Sequence, residues 1–349
     1  LELRPDVNVT VLERAGRAGG LVASERIDDC LVELGPDSIL TEKPAALQLA
    51  RRLGLEDDMI GTRQGHRGAY VVCRGRLERI PEGFSMMGPA RAWPALRSPI
   101  LSAPGKLRML CELFVPRGPG GEESVGRFVR RRFGKEVLER LAQPLMGGIY
   151  GTDVDLLSLQ ATMPRFAVLE AEHRSVTLGL MRQSQAKESA QGARYGLFVS
   201  FRGGVQTLTD ALATKLGPRL SLFDEAISIR RLADGSYEVD RSRGPTLHTE
   251  ALILALPARP MARLLERLDP ALGERLLDIP YGSSAAVYLC FERREVPHAL
   301  DAFGFVVPKA ERRRVMASTW ASVKFEGRAP SDRALLRWFF GGDCNEEML

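Results

Sequence analysis

The sequence predicts a mixed α/β chain, α+β overall: a discontinuous nucleotide-binding domain, an inserted antiparallel-sheet domain and a helical domain. Three observations predict it. A short strand, Val7 to Glu13, ends on a carboxylate and is followed by Arg17 and the pair Gly19-Gly20. A long middle stretch gives up strand alternation for proline, glycine and apolar residues at helical spacing. Alternation returns from Gly196, and the last third reads as a broad antiparallel sheet.

In the first strand, Val7, Val9 and Val11 alternate with Asn8 and Thr10. An acid at the end of the second strand of a nucleotide-binding unit accepts hydrogen bonds from an adenosine ribose. By that logic a Gly-rich phosphate loop lies upstream of Leu1, so the chain is expected to be a fragment. An acid at a strand end also marks nothing more than a return to water, so the glycine pair carries the weight. A backbone without Cβ comes closest to a pyrophosphate or a ring. The turn Gly35-Pro36-Asp37 follows, then a helix from about Pro44 to Leu53 and a hairpin of Tyr70–Cys73 with Arg76–Leu77 around Gly75.

Between about Pro81 and Pro119 lie Met86, Met87, Trp93, Leu96, Ile100, Leu107, Leu113 and Phe114, with Arg91, Arg97, Lys106 and Arg108 beside them. The stretch reads either as ordinary helix core or as an apolar mouth dipping into a bilayer surface. An amphipathic helix carries Val125, Phe128, Val129 and Phe133 on one stripe and stops at Gly134. A second helix, about Lys135 to Pro144, leads into a glycine-rich span ending at Gly151, either a tight turn or a close approach to something flat. Ser200 to Leu208 opens a helix containing Leu212 and Leu216. Strands are expected at Leu220–Leu222, Ala226–Ile229, Tyr237–Val239, Leu252–Leu256, Ala285–Phe291, Phe303–Val307, Val315–Ser318 and Leu335–Phe340.

Composition narrows the function without choosing it. The chain has 349 residues, 44% of them hydrophobic, and a net charge of +5, enough to bury a sizeable core in two or three domains. Arginine outnumbers lysine, which suits a polycarboxylate substrate or an anionic membrane. No compact basic block is interleaved with aromatics, which argues against nucleic acid. The runs Arg130–Arg132 and Arg312–Arg314 read as solvated faces. Cys30, Cys73, Cys111, Cys290 and Cys344 are scattered, with no zinc or disulfide pattern, as suits a reducing cytosol. His66, His173, His248 and His298 lack metal-ligand spacing, and no apolar run is long enough to span a membrane.

The pattern Glu-x-x-x-Arg-x-Gly-Gly from Glu13 resembles flavin-dependent amine oxidases, phytoene desaturases and protoporphyrinogen oxidases. A longer series selects among them: Glu122 to Val125 with Phe128 to Arg131, Pro144 to Gly151 with Asp153 and Leu157 to Leu159, Ser200 to Gly204 with Gln206 to Leu208, Gly304 to Pro308, Phe325 to Pro330, and Gly341-Gly342. Over nearly its whole length the chain resembles the bacterial oxygen-dependent protoporphyrinogen oxidases. The resemblance implies an FAD domain (1–55 and 196–265), a substrate domain (56–80 and 266–349) and a helical membrane-associating domain (81–195). It implies FAD-dependent, six-electron oxidation of protoporphyrinogen IX or coproporphyrinogen III to the porphyrin in haem biosynthesis, with O2 as acceptor and hydrogen peroxide as product. Location would be cytoplasmic, peripheral on the inner face of the cell membrane, and a homodimer is the oligomeric expectation. A flavin amine oxidase or carotenoid desaturase, and a non-enzymatic flavoprotein-like scaffold, are the alternatives.

Residue by residue, the resemblance makes Glu13 the ribose acid, and Arg17, Gly19 and Gly20 the cofactor-contacting loop. Gly35, Pro36 and Asp37 become the turn near the isoalloxazine, and Ala226 a backbone contact to adenine. Gly148, Phe303, Val306 and Phe339 would line the porphyrinogen cleft. No side chain is expected to be catalytic, because the cofactor carries the chemistry. Two departures count. Relatives that hold a propionate with an arginine after the Pro-x-Gly turn have it where this chain has Ser85, which leaves Arg91 or Arg97 as substitutes. The phosphate loop and the last glycine-rich segment of the family are not in the chain, so by itself it is expected to bind FAD poorly.

Overall fold

The computed structural model describes residues 6–66, 68–118, 120–189 and 198–342. Gly196 and Cys344 lie outside them. The chain opens with β1 (Val11–Glu13), β2 (Ser24–Ile27), β3 (Cys30–Glu33), β4 (Ile39–Leu40), α1 (Ala45–Arg52), β5 (Met59–Gly61) and the hairpin β6 (Tyr70–Cys73) and β7 (Arg76–Arg79). A short ribbon, β8 (Phe84–Ser85) and β9 (Gly88–Pro89), leads into α2 (Ala92–Arg97), α3 (Ala103–Leu110), α4 (Val125–Phe133), α5 (Lys135–Val137), α6 (Gln143–Tyr150), α7 (Leu159–Thr162), α8 (Pro164–His173) and α9 (Val176–Ser189). The return comprises β10 (Phe198–Phe201), α10 (Gln206–Leu216), β11 (Leu220–Leu222), β12 (Ala226–Arg231), β13 (Tyr237–Arg241), β14 (Leu247–Thr249), α11 (Ala258–Leu265) and α12 (Pro270–Leu277). The chain then closes with β15 (Ser284–Glu292), β16 (Gly304–Val306), β17 (Ala317–Trp320), α13 (Ala321–Lys324) and β18 (Arg333–Gly341).

β1 runs parallel to β11, with Glu13 opposite Leu222. β10 sits between β4 and β5, so a strand from the far side of the helical stretch completes a sheet begun near the N-terminus. The largest sheet has six strands in the order β15-β18-β17-β16-β6-β7, antiparallel except where β16 meets β6. Its register sets one row of side chains across four strands: Val306 opposite Ala317, Ala317 opposite Phe339, and Phe339 opposite Ala286. Since alternate residues share a face, Arg337, Phe339, Tyr288 and Thr319 look the same way.

The helical stretch holds the largest apolar core, with Phe128, Phe133, Leu141, Met146 and Phe166 all fully buried. Burying each such side chain contributes about 1.5–3 kcal/mol, so this stretch carries much of the stability. α4 forms as its pattern predicts: the Ser124 hydroxyl accepts from Arg127 N at 3.2 Å, and the helix ends at Gly134.

Three readings change against the structure. Pro144 to Gly151, read as a turn or close approach, lies within and just beyond helix α6, preceded by a π-helical turn, Leu138–Ala142. Proline would clash with the carbonyl four residues back in a regular helix, and a widened turn upstream makes room for it. The strand expected at Leu252–Leu256 pairs with no other strand among the described residues, and Ile253 is 91% exposed. Apolar character without a ladder partner is not enough for a strand. The strand expected from Val7 begins only at Val11, where its partner β11 begins.

Candidate functional site

The first of the residues expected to hold a cofactor lie where β1 ends. The Glu13 carboxylate accepts from Ala15 N at 2.7 Å, which turns the chain sharply after the strand. Arg17 then folds back over its own loop, donating to the carbonyls of Ala18, Val22 and Gly20 at 3.2, 3.0 and 2.6 Å. It braces the glycine pair. Gly20 has φ +55° and open space where a Cβ would stand, so the left-handed backbone, not crowding, calls for glycine there.

Gly35 is glycine for the opposite reason. A Cβ on it would stand 1.8 Å from the Leu21 carbonyl oxygen. The Gly35-Pro36-Asp37 turn is thereby pressed against the Arg17–Val22 loop. Ala226 opens β12, four residues beyond Leu222, the partner of Glu13. Glu13, the glycine loop, the turn and Ala226 thus belong to one connected edge.

Three cations from the C-terminal third hold this edge. Arg337 of β18 donates to the Gly35 carbonyl at 2.7 Å. Lys324, at the end of α13, pairs with the Asp37 carboxylate at 2.8 and 2.9 Å and with Ser38 at 3.1 Å. Arg328 donates to Ser200 Oγ at 2.7 Å and the Phe201 carbonyl at 3.0 Å, and lies 3.6 Å from Glu33. Burial works to raise the Asp37 carboxyl, but the Lys324 charge and the hydrogen bonds outweigh it and hold it below the usual carboxylate range. Glu33 goes the other way: burial raises it, against hydrogen bonds from Ser24 and Val205 and the charge of Arg328. The Tyr288 phenol, also raised by burial, receives a bond from Glu33 N and donates one to Glu33 O.

One buried donor here has room in its hydrogen bonding for a bound acceptor. Arg337 is buried, its guanidinium sits 4.8 Å from the Phe339 ring centre and 5.5 Å from that of Tyr288, and its Nε has no partner. A buried N–H without an acceptor costs about 1–3 kcal/mol, which a bound acceptor would relieve.

Beside this edge, a cavity of ≈ 370 Å³ opens between α6 and the β16–β17 hairpin, with Gly148, Val307 and Met316 in its wall. A Cβ on Gly148 would stand 3.8 Å from Ala317 Cβ and 3.9 Å from Val306 Cγ1. Gly148 thus stands near Ala317 and Val306. Phe339 lies on the far side of Ala317 in the register row, two residues from Arg337, and neither Val306 nor Phe339 lines the cavity. Phe303 stands apart from that row, just before β16, its N–H donating to Gly68 O at 2.9 Å and its carbonyl accepting from Trp320 N at 2.8 Å.

Sequence reasoning missed Arg337, Lys324 and Tyr288. A lone cation inside the apolar strand Leu335–Phe340 was the available signal for the first. Of the two arginines considered as propionate anchors, Arg91 pairs with Glu82 at 3.0 Å and Arg97 stacks on Trp93 at 4.7 Å. Neither lines the cavity.

The model of the flavin containing amine oxidoreductase family matches residues 3–349, and the chain belongs to that family. It is 34% identical to a coproporphyrinogen III oxidase of Propionibacterium freudenreichii subsp. freudenreichii, over 95% of this chain and 67% of that protein. It is 32% identical to a coproporphyrinogen III oxidase of Bacillus subtilis (strain 168), over 98% of this chain and 73% of that one. The crystal structure of a candidate protoporphyrinogen oxidase from Exiguobacterium sp. 255-15 superposes with a TM-score of 0.84 at 28% identity, covering 98% of this chain and 73% of that one. The cofactor is FAD, as the family and these folds require.

Proposed function

We propose that this protein oxidises a porphyrinogen, coproporphyrinogen III or protoporphyrinogen IX, to the corresponding porphyrin in haem biosynthesis. The observation that carries the reading is the run along one sheet from Val306, near Gly148, past Ala317 and Phe339 to Arg337, which holds Gly35, in a chain whose relatives are named for these substrates. When bound, FAD supplies a hydride acceptor that O2 can reoxidise. Three O2 molecules would take up the six hydrogens lost by one macrocycle and leave as hydrogen peroxide.

The protein's part is to bind and orient. Glu13 would hold the ribose, Arg17, Gly19 and Gly20 the loop beside the cofactor, Ala226 the adenine, and Gly35, Pro36 and Asp37 the ring system. Arg337 fixes the Gly35 carbonyl, and Lys324 keeps Asp37 ionised, so the turn presents a constant face. Gly148, Val306 and Phe339, with Phe303 nearby, would form the apolar wall that orients the macrocycle and excludes water. None of these side chains moves a proton in the reading.

The test is to incubate the native flavoprotein aerobically with each porphyrinogen and follow porphyrin fluorescence. Turnover of either one is expected; turnover of a primary amine but of neither porphyrinogen would overturn the reading. Gly148→Ala sharpens it. The added methyl makes only ordinary contacts with Ala317 and Val306, so stability should stay within about 0.5 kcal/mol of wild type. The methyl narrows the wall, and KM for the porphyrinogen should rise. An unchanged KM would remove Gly148 from the cleft.

We also propose that α2 and α3 rest on an anionic bilayer. Trp93, Leu107 and Phe114 are exposed by 62, 65 and 79% in this one stretch, with Arg97 and Lys106 beside them. No helix among the described residues is long and apolar enough to cross a membrane. Flotation with anionic liposomes is expected, and its loss on Trp93→Ser with Phe114→Ser is the check.

A further inference from the structure

The run Arg312-Arg313-Arg314, which reads in the sequence as a solvated face, lines a cavity. It occupies the loop between β16 and β17, and all three side chains border the ≈ 370 Å³ space that also contains Gly148. Arg313 further borders a second, adjoining hollow of ≈ 240 Å³ that it shares with Arg76, Phe305 and Trp338. Val307, Val315 and Met316 make the floor between the cations apolar.

The acids nearby are already engaged. Asp153 pairs with Lys309 at 2.8 Å. Glu311 accepts from the backbone N–H groups of Arg74 and Gly75 at 2.7 and 3.0 Å. Among the described residues no carboxylate pairs with Arg312, Arg313 or Arg314, and all three are exposed at the cavity rim. Three successive arginines on one cavity rim without a paired carboxylate concentrate positive charge there, which a bound polyanion would offset. The planar fork of arginine takes a carboxylate through two parallel hydrogen bonds.

We propose that Arg312, Arg313 and Arg314 form the carboxylate-binding rim of the substrate cleft, anchoring the acidic side chains of a macrocycle whose apolar body lies against Gly148 and the sheet. This rests on the porphyrinogen reading above. It places the anchor on the hairpin loop, in place of Arg91 and Arg97, which are committed to Glu82 and Trp93.

The experiment titrates the native flavoprotein with coproporphyrin III, and in parallel with its uncharged tetramethyl ester, following porphyrin fluorescence. The triple variant R312Q/R313Q/R314Q should bind the free acid at least about tenfold more weakly and the ester as wild type does. The single variant R313Q should show a smaller loss of the same kind. Flavin content and far-UV circular dichroism confirm that each variant is folded. Equal affinity of wild type and both variants for the free acid would overturn the proposal, as would equal losses for acid and ester. Porphyrinogen turnover by the wild type reports separately on the oxidase reading. Turnover with unchanged porphyrin binding in the variants would sink the rim alone. Charge-dependent binding without turnover would sink the oxidase reading and leave the rim.

Discussion

Two clusters of buried charge in this molecule, one among the helices and one around the Gly35–Asp37 turn, are wired differently. In the helical stretch Arg132 and Glu112 are both fully buried and paired. Glu112 also accepts from Ser175 Oγ at 2.6 Å and Val176 N at 2.9 Å, while Arg132 reaches the carbonyls of Val115 and Arg174 at 3.0 and 2.8 Å. Next to them Arg131 binds Glu123 and Glu170 at 2.9 and 2.6 Å. Partners converge on one another, and only Arg132 Nε is left over. Around the Gly35–Asp37 turn the cations reach outward to backbone and side chains of other segments: Arg337 to Gly35, Lys324 to Asp37, Arg328 to Ser200 and Phe201. The first cluster is closed and holds helices together. The second fixes backbone carbonyls and the Gly35–Asp37 turn, and so holds a loop in place for something else.

If that difference is right, the same kind of deletion must have different consequences in the two places. The largest effect is expected for Arg132→Ala. It leaves Glu112 buried without its charge partner, which costs about 3–5 kcal/mol, and chemical denaturation should show a loss of that order or no folded protein at all. A loss below about 1 kcal/mol would mean that water reaches Glu112.

Next comes Lys324→Met. Asp37 keeps Ser38 as a donor at 2.6 Å, so the cost in stability is about 1–3 kcal/mol, while flavin retention should fall more than stability does. The pH dependence gives a second readout. Because the folded-state pKa of Asp37 lies below its usual value of 3.8, its stabilising contribution is present above that value. It disappears as pH falls through the lower, folded value. The variant should therefore lose stability at neutral pH and show a shallower acid limb than wild type. Identical acid limbs would take Asp37 out of the account.

What could be read from the sequence follows the same division. The α4 helix was legible because its apolar stripe and stop lie within a dozen residues of one another, and β6 with β7 was legible from one turn. The Glu13 strand, the glycine pair and the Gly35–Asp37 turn were legible as local patterns. The braces were not. Arg337 and Gly35 are 302 residues apart, and Lys324 and Asp37 are 287 apart, so nothing local distinguishes these cations from others that face water. The run Arg130–Arg132 failed in the same way, since it reads as a solvated face and Arg132 is fully buried against Glu112. Arg312 to Arg314 are exposed as read, and only the fold shows that they border a cavity beside α6. Leu252–Leu256 failed in the other direction, since its apolar pattern was present and no partner strand was, among the described residues.

The smallest expected effect tests the cluster around the Gly35–Asp37 turn from its least favourable member. Glu33 is buried at the end of β3, with Ser24 Oγ at 2.5 Å and Val205 N at 3.1 Å on its carboxylate, yet burial still leaves its pKa above the usual 4.5. A carboxyl that binds its proton more tightly folded than unfolded makes the native state the more protonated one. Stability must then fall as pH rises from about 4.5 through the folded value, opposite in sign to Asp37. Glu33→Gln keeps one acceptor for Ser24 or Val205 and removes the ionisation, so this part of the pH profile should flatten. The net change at neutral pH should stay within about 1 kcal/mol, lost hydrogen-bond strength offsetting relief of the buried charge. Thermal melts of wild type and variant from pH 4 to 8 decide it. If the variant instead loses several kcal/mol at neutral pH, Arg328 at 3.6 Å has been left as an uncompensated buried cation, and this cluster is as closed as the one around Arg132.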